Sequence, residues 1–161
     1  MQVQAIAAVR TPPLPVSCRP YLRRRDDAVL CELLDRYESH GGVASTTDVV
    51  GLMREHWRQP ISMLSQWIVS RKVVSFTSRG QLMLPLFQFL RPRMRPNDCV
   101  QQVSALLADL MDDEGLAAWF VRPSEWMGQA MPVDFIVADP KAVLVAARQT
   151  RERLLARPAM D

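Results

Sequence analysis

The chain has 161 residues, 48% of them hydrophobic, with a formal net charge of +3. That length holds one domain or two very small ones, and that composition supports a packed core rather than a disordered chain. No apolar run approaches the roughly 20 residues that span a bilayer, and the stretch from Met1 to Arg10 is too short and lacks the basic start of a signal peptide, so a cytoplasmic protein with no membrane partner is expected.

Residues 1–25 carry Pro12, Pro13, Pro15 and Pro20, followed by Arg23, Arg24 and Arg25. Prolines favour extended chain, which reads as a solvated arm whose arginines are able to meet phosphates. Asp26 and Asp27 then open a helix with Val29, Leu30, Leu33, Leu34 and Tyr37 on one face, ended by Gly41-Gly42. Ser45 to Asp48 is an N-cap cluster with the spacing of a capping box. It starts a second helical face of Val49, Val50, Leu52, Met53 and Trp57. Pro60 suits the first turn of a third helix, with Ile61, Leu64 and Ile68 as its buried stripe and Ser62, Ser65, Gln66 and Arg71 on other faces.

The period then changes. Val73 to Phe76 and Gln81 to Leu84 read as a β-hairpin, with Gly80 in its turn. Leu86 to Phe89 is an apolar anchor, and Arg91 to Pro96 is the candidate linker. Asn97-Asp98 caps a fourth helix with Val100, Val103, Leu106, Leu107 and Leu110 inward. Asp112 to Glu114 starts a short fifth helix with Leu116, Trp119 and Phe120, broken by Pro123. A loop with Trp126, Gly128 and Pro132 follows. Asp139-Pro140 opens a last helix with Val143, Leu144, Ala147 and Leu154. The expected fold is therefore mainly α: a small helical bundle with one short β-hairpin. Its divisions are an arm (1–25), a helical unit with the hairpin (26–90) and a C-terminal helical unit (97–157).

Charge changes sign at the linker. Residues 1–95 carry 14 Lys and Arg against 7 Asp and Glu, and residues 96–161 carry 6 against 10. The first part suits nucleic acid or an acidic surface, the second a protein partner. The alternative is a general preference for arginine, since Lys72 and Lys141 are the only lysines. Cys18, Cys31 and Cys99 are widely spaced, which suits reduced thiols, with Cys31 and Cys99 as small core residues.

The inventory for catalysis is thin. His40 and His56 lack ligands at metal spacing, no phosphate-cradling glycine loop occurs, and no serine has a histidine partner in a nucleophile pattern. Neither an enzyme nor a cofactor is expected.

Residues 45–84 run helix, turn, helix, hairpin, an order compatible with a winged helix-turn-helix. In that reading Ser62, Gln66 and Arg71 of the third helix reach base edges, and Lys72 and Arg79 lie near phosphates of an operator. Three helices packed on a hairpin with a polar outer face explain the same pattern. Trp126 lies in the loop Pro123-Ser-Glu-Trp-Met-Gly128. It is either a lid on its own core or an anchor for a partner.

The segment from Leu116 to Ile136 resembles the signature of the Xre/MbcA/ParS-type antitoxin toxin-binding domain. Trp119, Pro123, Met127-Gly128, Pro132 and Asp134 fill its places, Ala142 to Arg148 is similar to its closing helix, and Leu84 to Phe89 to the element upstream. The likeness spans residues 80–155 and departs at Gln129, where a second glycine is usual. It implies an antitoxin that covers the cleft of a cognate RES-type, NAD-consuming toxin, assembles as a homodimer and represses its own operon. The contact residues it implies are Trp126, Met127, Gly128, Pro132, Asp134 and Arg148. A transcriptional regulator whose C-terminal unit serves dimerisation is the alternative.

Overall fold

The helix starts are set by short polar side chains that accept otherwise orphaned backbone N–H groups. Ser45 accepts from the Asp48 N–H at 3.2 Å, Asn97 from Cys99 and Val100 at 2.8 and 3.3 Å, Asp112 from Gly115 at 2.7 Å and Asp139 from Ala142 at 3.1 Å. Each of these four helix starts lies where the sequence places it. The structure is a computed structural model and describes residues 25–157. The expected arm lies outside them, apart from Arg25 at the start of the first helix.

The described residues form α1 (Arg25–Glu38), β1 (Val43–Ser45), α2 (Thr46–Met53), α3 (Pro60–Val69), β2 (Phe76–Ser78), β3 (Gln81–Pro85), β4 (Phe89–Leu90), β5 (Arg95–Pro96), α4 (Asp98–Leu107), α5 (Asp113–Phe120) and α6 (Pro140–Ala156). The mainly helical expectation holds. Among the described residues no helix is long and apolar enough to cross a membrane.

The hairpin of β2 and β3 is present with Ser78 opposite Gln81. Its two-residue turn has positive φ at both Arg79 (50°) and Gly80 (76°), the requirement of a type I′ turn. A third strand was not foreseen. β1 pairs antiparallel with β3, Val43 opposite Pro85 and Ser45 opposite Met83, giving the order β1-β3-β2. Three residues are too few for a period of two to register.

Three local expectations change. α2 ends at Met53, and Trp57 lies in the following loop, where its indole N–H donates to the Arg93 carbonyl at 2.6 Å. In α3 the buried residues are Leu64 and Trp67, while Ile61 is 64% exposed. The reason is aromatic bulk: Trp67 meets Trp57 edge-on at 5.4 Å and Phe89 at 6.5 Å, which turns the helix toward them. Cys31, expected as a free thiol in the core, is half-buried and disulfide-bonded.

Two apolar clusters hold the molecule together. One joins α2, α3, β3 and β4 through Val49, Met53, Leu64, Trp67, Leu84 and Phe89. The other joins α4, α5 and α6 (Val100, Val103, Leu107, Phe120, Val143, Ala147) to Leu33 and Tyr37 of α1 and to Val43, Val74 and Phe76. The N-terminal helix thus shares a core with the C-terminal unit, and the Tyr37 hydroxyl donates to the Ala117 carbonyl at 2.5 Å. Residues 91–96, expected as a linker, close the β4–β5 pair and bury Met94.

Candidate functional site

The loop after α5 is built on its own backbone. Ser124 is its hub: its carbonyl accepts from Met127 (3.1 Å) and Gln129 (2.8 Å), and its N–H donates to Ala130 (2.9 Å). The chain can close so tightly because two successive residues are left-handed, Gly128 at φ 61° and Gln129 at φ 70°. Gln129, where the resemblance has a glycine, adopts the conformation that glycine adopts most readily.

This closure pushes Trp126 outward, and 45% of it is exposed. Of the two readings of this side chain, a lid on its own core does not describe it. Its neighbour Met127 turns inward and packs on the larger cluster. Between the loop and α6 runs an open groove of about 560 Å³. Trp119, Met111 and Leu154 form part of its lining, and Trp126 and Pro123 stand on the loop side. The Trp119 indole N–H donates to the Thr150 hydroxyl at 3.1 Å, which in turn donates to the Ala146 carbonyl at 2.8 Å. Trp119 is thereby a fixed wall, and Trp126 is the exposed one. Charge enters from Arg122, Arg153 and Arg157, and from Glu125, which is ion-paired to Arg153.

The expected contact residues are not gathered in one place. Trp126 lines the groove, whereas Met127, Gly128, Pro132, Asp134 and Arg148 do not. Pro132 is buried, and Asp134 faces the turn after α1, with its carboxylate 3.6 Å from Nδ1 of His40. Arg148 is exposed on α6 without lining the groove. The lining that sequence reasoning missed comes from α6 and the residue that ends it: Thr150, Arg153, Leu154 and then Arg157. Their spacing of three, four and seven is one helical face, a signal that was present in the sequence.

The expected nucleic-acid residues divide likewise. Ser62 and Gln66 are exposed on α3, Lys72 follows it, and Arg79 is exposed at the hairpin turn. Arg71 is committed elsewhere. Its guanidinium donates to the Ala108 carbonyl at 2.5 Å and pairs with Asp113, tying the end of α3 to the α4–α5 turn. The exposed face of α3 carries no cation, and Ile61 and Val69 flank Ser62 and Gln66 on it.

Cys99 is buried, and burial pushes its thiol up to about 11, so it is neutral near pH 7. Among the described residues no group of three or more His, Cys, Asp or Glu is placed to hold a metal ion. The chain matches no family model, no curated protein and no solved structure.

Proposed function

We propose that this chain is an antitoxin-like binding protein that acts by occlusion, covering the cleft of a cognate RES-type, NAD-consuming toxin in the cytoplasm. The observation that carries the reading is the groove beside Trp126: an exposed indole held on a hydrogen-bonded loop, facing a fixed tryptophan and a helix face. A half-exposed aromatic over a recess of this size is the usual anatomy of an interface anchor. The resemblance over residues 80–155 supports a RES-type toxin as the class of partner.

The test is co-expression with the product of the adjacent gene, followed by size exclusion. Co-elution and rescue of growth are expected. Trp126→Ala is expected to weaken the complex by about 2 kcal/mol, roughly 30-fold, with an unchanged circular dichroism spectrum. Wild-type affinity in that variant would remove the groove from the interface.

A second reading is favoured by one observation. The strand order is β1-β3-β2 with α2 and α3 before the hairpin, and Ser62 and Gln66 are exposed on α3, which supports a winged helix-turn-helix reading. As a dimeric regulator the chain would bind operator DNA with affinity falling steeply as salt rises. Gln66→Ala tests it; unchanged operator affinity would end the assignment of α3.

A further inference from the structure

The groove differs in charge from the segment that builds it. Residues 96–161 carry 6 Lys and Arg against 10 Asp and Glu, which by itself points to a basic partner. Among the described residues, however, Glu125 is the only one of these acidic groups that lines the groove, and several of the others are occupied elsewhere. Asp112 and Asp139 cap helices, Asp109 is held bidentately by Arg151 at 2.7 and 3.1 Å, Asp113 pairs with Arg71, and Asp134 lies beside His40. In the groove the balance reverses: Arg122, Arg153 and Arg157 face Glu125 alone, and Glu125 is paired with Arg153. Arg122 and Arg157 are exposed and have no ion pair or side-chain hydrogen bond among the described residues. Beside them lies an apolar surface of Met111, Trp126 and Leu154.

We propose that this groove takes an acidic, apolar peptide segment of the partner. An aliphatic or aromatic side chain rests against Trp126 and Leu154, and flanking carboxylates meet Arg122 and Arg157. Guanidinium and carboxylate match in a two-bond geometry, and the adjoining apolar surface supplies the burial that a surface ion pair lacks. A nucleic-acid backbone would meet the same guanidiniums but would find an apolar recess with Glu125 on its rim. The inference rests on the preceding reading only in taking the groove as the partner's seat. It does not depend on the partner's identity.

The experiment is fluorescence anisotropy on the full chain with three labelled probes: a short peptide alternating Glu and Leu, its Lys and Leu counterpart, and a thymidine oligonucleotide. Binding of the Glu–Leu peptide alone is expected, with quenching of tryptophan emission. Affinity should fall about tenfold or more in the Arg122→Ala, Arg157→Ala double variant, and also on raising salt. Both side chains are exposed, so the variant should keep its fold; Arg122→Lys with Arg157→Lys should restore part of the binding. Preference for the Lys–Leu peptide, preference for the oligonucleotide, or no binding of the Glu–Leu peptide at millimolar concentration would overturn the proposal. So would Glu–Leu binding seen only in a chain lacking residues 158–161, which would assign the groove to the chain's own tail. If the adjacent gene product co-elutes and the peptide does not bind, this inference fails alone. If the peptide binds and no co-elution occurs, the toxin reading fails alone.

Discussion

Gln88 shows how one side chain can hold two regions together. It is fully buried; its carbonyl oxygen accepts from the Val74 N–H at 2.6 Å, and its amide donates to Val74 and Pro85 at 2.8 and 2.9 Å. It substitutes for a backbone partner where the chain approaches β2. Replacing it with Leu would leave a buried N–H and carbonyl unsatisfied, at a cost of about 2 to 4 kcal/mol; urea unfolding of Gln88→Leu measures this, and a loss below about 1 kcal/mol would contradict it. Its position between Phe87 and Phe89 made it look like part of an apolar anchor, because sequence alone does not show which backbone groups lack partners. Cys99 carries the pH prediction. Burial raises its thiol to about 11 from an ordinary 9.0, so the unfolded chain releases this proton at a lower pH than the folded one. Its contribution is therefore complete below pH 9 and is lost as pH rises from 9 to 11. Chemical denaturation across that range should show the decline, and Cys99→Ala should reduce it, most clearly between pH 9.0 and 10.0, before the buried Tyr37 hydroxyl, also pushed up by burial, adds its own loss.

At the scale of elements, the starts of α2, α4, α5 and α6 were legible because an N-cap is a local bond between a side chain and a backbone two or three residues on. Where α2 stops and which way α3 faces were not. Those depend on Trp57 reaching Arg93 and on Trp67 packing against Phe89, partners distant in sequence. The loop between α5 and α6 is an intermediate case. Its glycine was visible, but the left-handed geometry of Gln129 was not. Holding a non-glycine residue there costs on the order of 1 kcal/mol. Gln129→Gly relieves that cost but adds freedom to the unfolded chain, so a net gain of about 0.5 kcal/mol in thermal unfolding is expected. A clear loss would mean that the glutamine side chain itself supports the loop.

At the scale of the molecule, the change of charge and the two prolines near residue 95 suggested two units joined by a linker. The packing joins them. Leu33, Tyr37, Val74 and Phe76 complete the core of α4, α5 and α6, Arg36 donates to the Val121 carbonyl at 3.0 Å, and Arg71 is anchored at Ala108 and Asp113. A fragment of residues 97–157 would expose the apolar surface that α1 and β2 cover, so it should bind a hydrophobic dye and lack a cooperative melt, while the whole chain unfolds in one transition. A cooperative melt of the fragment alone would restore the division into two units.

The amino-acid pattern was sufficient for what depends on neighbours along the chain: six helical segments, a hairpin, four helix N-caps and a loop containing Gly128 between the last two helices. Such features arise from bonds and apolar spacings within a few residues. The third strand, the shared core, the pairing of Arg71 with Ala108 and Asp113 and the basic groove were decided by the tertiary structure. Each requires two segments far apart in sequence to meet, as when the α6 face from Thr150 to Arg157 comes to lie against the Trp126 loop. Net charge along a segment describes its composition. The charge that a partner meets is set by which of those groups folding has already paired.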